Sequence, residues 1–351
     1  MPLFDDLSNA VKWVNNVAKD SKENLHKLLV EYATELPRRP PCTLTRVFQQ
    51  NIDNGRSTYA DVPCLDETRI KLTTPRDGND YIHASWVKLP EASCNFILTQ
   101  APTKETSVDF WSMVWQDHFQ EKVTLIVCLS KFVEGGRKIG FEYWPTSCGN
   151  EYRQKHGRIH MRNLGVRNSR SMALSIIETV HEVTRERRNV MHYLYMDWFE
   201  HCLPVCVHSF LDLIEYMENE IRNIQLPTKP TVLIHCTTGA GRSGMLVALR
   251  SLIGIVNAGQ MPCIPATIAK IRQQRAMAIL LVEQYMFLHY ALVTYIVNNC
   301  ILPQQWKDDV LAKVAYLRVN VPKNACPLCR RSVMGKAAEE KDNKNENVKQ
   351  Q

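Results

Sequence analysis

The chain has 351 residues, 45% of them hydrophobic, and a formal net charge of +7. That length and apolar share fit one large globular domain with appendages and exclude a disordered or fibrous chain. The mild charge, spread along the sequence, no apolar run of membrane-spanning length and no opening secretory segment argue against nucleic-acid binding and membrane insertion and for twelve scattered cysteines kept reduced in the cytoplasm. A monomer is the expectation, which these features do not decide.

Residues 8–34 place Val11, Val14, Val17, Leu25, Leu28, Leu29 and Tyr32 at helical spacing, and Leu36-Pro37-Arg38-Arg39-Pro40-Pro41 breaks the pattern. Apolar, β-branched runs predict strands at Tyr81–Val87, Phe96–Thr99, Val123–Leu129, Met172–Val180 and Val190–Met196. Helical periodicity falls on Val108–His118, Ser209–Ile224, Ser243–Val256, Pro265–Gln274 and Val282–Val297, and an amphipathic stretch runs from Ile301 to about Leu317. Strands interspersed with helices predict an α/β fold around a twisted mixed central sheet flanked by helices. The expected organisation is an N-terminal helical region with a Pro-rich turn over 1–40, the main domain over 41–300, a helical extension over 301–334 and a disordered charged tail over 335–351. Cys326 and Cys329 have CxxC spacing, but no second pair accompanies them, so neither a metal nor a cofactor is expected.

The most informative stretch is His235-Cys236-Thr237-Thr238-Gly239-Ala240-Gly241-Arg242-Ser243-Gly244, set between the apolar strand 231–234 and the helical pattern 245–256. A strand, a glycine-bearing loop and a helix N-terminus together form an anion cradle of backbone N–H groups. Cys236 at its base would have its thiolate stabilised by those groups and by Arg242, whose planar fork matches two phosphate oxygens. Gly239 and Gly241 read as positions for positive φ and for close approach of backbone to ligand. A cysteine alone would read as a small core hydrophobe; with Arg242, Ser243 and the glycines at these offsets it reads as a nucleophile beneath a phosphoryl group.

The segment resembles the HC-x5-R-[ST] signature of the protein-tyrosine phosphatases, in their non-receptor type. The resemblance runs from about Arg46 to Ile296 through Tyr59-Ala60-Asp61-Val62-Pro63, Tyr81-Ile82-His83-Ala84-Ser85 (His where the family has Asn), Leu98-Thr99-Gln100-Ala101-Pro102, Phe110-Trp111, Tyr143-Trp144-Pro145 and Glu283-Gln284-Tyr285. It implies a single phosphatase-like domain and a phosphotyrosine protein as partner. Cys236 would be the nucleophile, Arg242 the phosphate clamp, and Ser243 the residue that helps the sulfur leave. Thr237, Thr238, Gly239, Ala240 and Gly241 would cradle the phosphate, with Gln284 beside them. Tyr59 would stack on the substrate phenyl ring and Asp61 would hold the peptide backbone; read from the residues alone, Tyr59 is also compatible with an ordinary half-exposed loop aromatic.

Departures concentrate where protons and water are handled. The family's acid loop reads Trp-Pro-Asp, an aromatic or His, then Gly-x-Pro; here it is Trp198-Phe199-Glu200-His201-Cys202-Leu203-Pro204. Glu200 has a similar unperturbed pKa to Asp, but its extra methylene moves the carboxyl by ~1 Å. Such a shift costs on the order of 100-fold where geometry controls the step. The family's water-orienting glutamine falls at Leu280, which has neither donor nor acceptor. Ala276-Met277-Ala278 replaces a Pro-Gly-Met lead-in, Ser57-Thr58 replaces an Asn and a basic residue, and Glu134 remains to orient Arg242, with Lys138 and Ile139 at the family's lysine position. Thr237 and Thr238 are bulkier than the usual pair, but backbone donors are independent of side chains, so anion binding is expected to survive. Two readings stay open: a slow phosphatase with Glu200 as acid, and an impaired phosphatase fold that binds phosphotyrosine proteins. An intact Cys236–Arg242 pair argues against a purely structural role.

Overall fold

The run Thr231–Cys236 is buried at all six residues, as a strand covered on both faces must be. In the computed structural model it lies at the centre of a large sheet. In chain order the elements are helices α1 (Ser8–Val17), α2 (Ser21–Thr34) and α3 (Arg46–Gln50), strands β1 (Arg69–Lys71), β2 (Tyr81–Val87) and β3 (Asn95–Gln100), helix α4 (Ser107–Trp115) and strand β4 (Val123–Cys128). Then come β5 (Val133–Glu134), β6 (Arg137–Lys138), β7 (Arg153–His156), β8 (Ile159–Asn168), β9 (Met172–His181), β10 (Arg187–Tyr195), α5 (Val207–Asn223), β11 (Thr231–Cys236), α6 (Gly241–Asn257), α7 (Ile264–Arg272), α8 (Val282–Asn299) and α9 (Gln304–Lys313). The structure describes residues 8–19, 21–34, 36, 39–116, 123–134, 137–138, 140–149, 153–199, 202–224 and 229–318.

Nine strands form one sheet in the order β1-β2-β3-β11-β4-β10-β9-β8-β7, and β5 and β6 pair as a separate hairpin. The centre is parallel (β3, β11, β4, β10) and both wings are antiparallel. This is the mixed α/β fold that the strand and helix patterns predict. Alternation along β11 sends Val232, Ile234 and Cys236 into the core beneath α6 and α8, and Leu233 into the opposite core around Trp111, Tyr143 and Trp144. The cysteine thus emerges at the carboxyl end of a central parallel strand, where ligands gather in sheets of this kind.

Helix α6 is buried along nearly its whole length, so its N-terminus is held rigidly over the end of β11. The predicted N-terminal helix is two: Asn24 Nδ2 donates to the Asn16 and Val17 carbonyls, so the second helix caps the end of the first. Both pack on the same core as α8, as do Val310, Val314 and Leu317 from α9 and the turn after it. Strand β8 carries no strong sequence signal, because a polar Asn163 takes the buried position that would continue the Ile159, Met161 alternation, Leu164 is exposed, and the ladder shifts register between Asn163 and Gly165. The surplus charge is not evenly spread: nine Lys and Arg stand against three Asp and Glu between 153 and 188, on the β7–β10 wing. No helix among the described residues is long and apolar enough to cross a membrane. Cys326, Cys329 and the charged tail lie outside the described residues.

Candidate active site

Residues 236–241 turn from β11 into α6 with their carbonyls directed outward. The Thr237 carbonyl accepts from Ala101 N–H at 3.1 Å. The next two carbonyls go to one side chain: Arg275 Nη2 donates to Thr238 O at 2.9 Å and Nε to Gly239 O at 3.0 Å. With these oxygens occupied outside, the loop's N–H groups are left to serve its concave side. Gly239 makes the turn possible. It sits at φ +67, and a Cβ there would stand 2.1 Å from the Thr99 carbonyl oxygen. Gly241 does not have positive φ. Its role is steric, since a Cβ would lie 3.0 Å from Gln284 Nε2, so the glutamine amide rests directly on the loop.

The Cys236 sulfur accepts Gly239 N–H at 3.2 Å. Burial pushes its thiol pKa up, but the Arg242 charge, the Ser243 hydroxyl and N–H, and the Gly239 N–H together outweigh that and hold it below the ordinary value. The Ser243 hydroxyl is fully buried and has no hydrogen-bond partner at ordinary distance. Arg242 is buried, and its Nη1 donates to the Leu129 carbonyl at 2.9 Å and to the Trp198 carbonyl at 3.3 Å. Arg242 is thereby tied both to the end of β4 and to the start of the 198–204 loop.

Thr238 departs from the sequence expectation. Its Oγ1 accepts Ala240 N–H at 3.3 Å, so one donor of the cradle is engaged by a side chain. An incoming anion must displace that bond. Thr238→Ala is therefore expected to tighten tungstate binding by roughly threefold to tenfold, the worth of one such bond; titration calorimetry showing weaker binding would instead make the hydroxyl part of the anion's own shell.

Arg275, fully buried and unmarked in the sequence, links the cysteine loop to the substrate side. Its Nη2 also meets His83 Nδ1 at 3.2 Å, while His83 Nε2 lies 2.8 Å from the Val62 carbonyl. An arginine only donates, so Nδ1 is the acceptor and Nε2 carries the proton. Burial first, and then the Arg275 charge, lower the His83 pKa to about 3, which keeps the ring neutral. One neutral imidazole thus supplies the acceptor and the donor that an amide side chain would, which accounts for His in place of Asn.

Tyr59 is half-buried and Asp61 exposed on the loop that Val62 closes. Gln100 at the end of β3 fixes this loop, accepting from Thr58 N–H at 3.0 Å and donating to the Arg56 carbonyl at 2.9 Å. The Ser57 hydroxyl pairs with that of Tyr81 at 2.8 Å, so Ser57 still anchors the loop where the family has an Asn. Behind Cys236, the Tyr143 hydroxyl lies 2.5 Å from His235 Nε2 and 2.7 Å from His192 Nε2 in a fully buried cluster. Burial drives the His235 pKa down to about 4, so this network under the site stays uncharged.

The flanks of the 198–204 loop are ordered by local contacts. Trp198 is buried and donates its indole N–H to the Cys202 carbonyl at 2.8 Å. Phe199 is exposed, with Lys131 Nζ 4.5 Å from its ring centroid. Asp197 belongs to the strand end, its carboxylate accepting the Ser171 hydroxyl. Glu200, His201 and the Glu134 side chain lie outside the described residues. Leu280 is half-buried next to Ile279, which is fully buried and donates its N–H to the Ala240 carbonyl at 3.3 Å. The apolar character of 277–282 has a packing reason: Ala278 presses on Gly244 of α6, where a Cβ would come within 2.9 Å of it.

A central mixed sheet, a cysteine at the end of one of its central parallel strands and an arginine-braced loop at a helix N-terminus are the frame of a phosphatase-like domain. Residues 53–294 match the protein-tyrosine phosphatase family, and the chain belongs to that family. It is 32% identical over 257 residues to tyrosine-protein phosphatase non-receptor type 9 of Homo sapiens, a match covering 70% of this chain and 42% of the relative. It is 28% identical over 283 residues to the non-receptor type 21 enzyme of Rattus norvegicus, covering 78% of this chain and 24% of the relative. It is also 30% identical over 251 residues to tyrosine phosphatase H2 of Microplitis demolitor bracovirus (isolate Webb), covering 68% and 74%. The chain spans about two-fifths of the length of the type 9 relative.

Proposed function

We propose that this chain removes phosphate from phosphotyrosine in proteins through a phosphocysteine on Cys236, and does so slowly. The observation that carries the reading is the buried Cys236 thiol, held below its ordinary pKa beside Arg242 at the mouth of a loop whose carbonyls face outward. The thiolate attacks phosphorus, the bond from phosphorus to the phenolic oxygen breaks, and that oxygen takes a proton from Glu200. Water then attacks phosphorus, Glu200 takes its proton, and the sulfur leaves as thiolate with Ser243 beside it. Tyr59 and Asp61 would receive the phenyl ring and the peptide backbone. The slow rate follows from Glu200 in place of Asp and from Leu280, which cannot orient the water. The chemistry needs a reduced Cys236, which a cytoplasmic setting supplies.

The test is steady-state dephosphorylation of a phosphotyrosyl peptide, with Cys236→Ser as the blank. Turnover that disappears in the blank establishes the enzyme. The loss of the water-orienting group at Leu280 favours one other reading, a phosphotyrosine binder. No turnover, with peptide binding lost in Arg242→Met, would select it. The depressed thiol pKa has its own consequence. A thiolate persists below the ordinary thiol range, so Cys236 alkylation by iodoacetamide is expected to continue undiminished at a pH where ordinary cysteines have slowed. Mass spectrometry of the peptide containing Cys236 against the one containing exposed Cys42 reads the difference.

A further inference from the structure

We propose that Tyr32, on the second N-terminal helix, is a positioning residue for the loop between α7 and α8, and that through it the N-terminal helices set the rate of phosphocysteine hydrolysis; the second half rests on the phosphatase reading above. The loop needs holding. Met277 and Ile279 both adopt left-handed backbone, at φ 61 and 59. For a β-branched residue such as Ile279 that conformation is a true outlier, and it persists only when its surroundings over-determine it.

Three consecutive carbonyls of this loop are gripped by side chains. Arg272 Nε donates to Ala278 O at 2.7 Å, and its Nη2 to Ile279 O at 2.7 Å. The Tyr32 hydroxyl donates to Leu280 O at 2.7 Å, with Ile279 O at 3.2 Å. The two clamps support each other, since the Arg272 guanidinium lies 5.7 Å from the Tyr32 ring centroid. Tyr32 is fixed in turn. Its ring lies 5.5 Å from that of Tyr285, and the Tyr285 hydroxyl donates to neighbouring Glu31 at 2.7 Å. Burial raises the Tyr32 pKa, against the pull of Arg272, so the hydroxyl keeps the proton it donates.

The clamp reaches the cradle by a short path. Holding the Leu280 carbonyl fixes the peptide whose N–H belongs to Leu281, and that N–H donates to Gln284 Oε1 at 3.4 Å. The Gln284 amide is the group resting on Gly241. Without the Tyr32 hydroxyl, the 280–281 peptide loses its own clamp and the Gln284 amide loses a fixed partner; with Leu280 unable to bind water, that amide is the polar group left beside the cradle to do so. The N-terminal helices are therefore part of the catalytic unit.

Tyr32→Phe in the full chain removes one oxygen and keeps the ring. Amide hydrogen exchange across 276–284 is expected to rise about tenfold, the worth of one hydrogen bond, with β11 and α6 unchanged. In rapid-quench experiments with an aryl phosphate, formation of phosphocysteine is expected to be unchanged and its hydrolysis to slow about tenfold. A general structural role would raise exchange in α6 as well and lower both steps together, which overturns the proposal. Unchanged exchange across 276–284 rejects the clamp. Faster exchange with unchanged hydrolysis rejects its link to the chemistry. If the wild type forms no phosphocysteine, the phosphatase reading and the hydrolysis link fall with it, and the exchange data alone still decide the clamp.

Discussion

Gly239→Ala is expected to lose anion binding by more than about 100-fold while the sheet stays folded. Two costs coincide at this position. An L-residue at φ +67 is strained by roughly 1–3 kcal/mol. The larger cost is steric, because the new Cβ would stand 2.1 Å from the Thr99 carbonyl oxygen and 2.7 Å from the Gln100 nitrogen. Both belong to a strand paired with β11 along its whole length, so neither can retreat. The loop must move instead, and it would release the Arg275 bonds to Thr238 and Gly239 that turn its donors inward. Tungstate titration reads the loss, and circular dichroism reports whether the fold persists. Binding within a few-fold of wild type would mean that the loop relaxes without cost and that the cradle is not set by its backbone.

Turnover of the triple variant Phe199→Pro, Glu200→Asp, Leu280→Gln is expected to rise by at least about 100-fold, because two separate geometric deficits are corrected. Glu200→Asp returns the acid by one methylene, and Phe199→Pro restores a fixed φ while removing the Lys131–Phe199 contact. Leu280→Gln gives the loop a group able to hold water. The two halves separate kinetically. Glu200→Asp with Phe199→Pro acts on both steps, since the same carboxyl protonates the phenol and then takes the proton of the water, whereas Leu280→Gln acts on hydrolysis alone. Rapid-quench and steady-state rates measured on the two subsets and on the triple variant test this, and an unchanged rate in the triple variant would show that these loops do not limit the chemistry.

The sequence by itself determined the turn that carries Cys236. Cys236, the glycines, Arg242 and Ser243 lie within eight consecutive residues, so the strand-to-helix turn that assembles them is a local event that spacing can express. The central strands were legible for a related reason. Burial on both faces writes a continuous apolar run such as Thr231–Cys236. Strand β8 was not, because the polar Asn163 takes a buried position in it and Leu164 is exposed.

Only the tertiary structure decided what braces the site. Arg275 holds Gly239 from 36 residues away and meets His83 across 192, while Tyr32 reaches Leu280 across 248. Nothing in the neighbourhood of Arg275 or Tyr32 distinguishes them from a surface arginine or a core tyrosine. The loop atoms they hold are backbone carbonyls, which carry no residue identity. The interior position of Gln284 over Gly241 and the engagement of Ala240 by Thr238 are likewise properties of packing. A motif specifies which groups are present; the free energy of a strained loop or a buried guanidinium depends on what the rest of the chain brings to it.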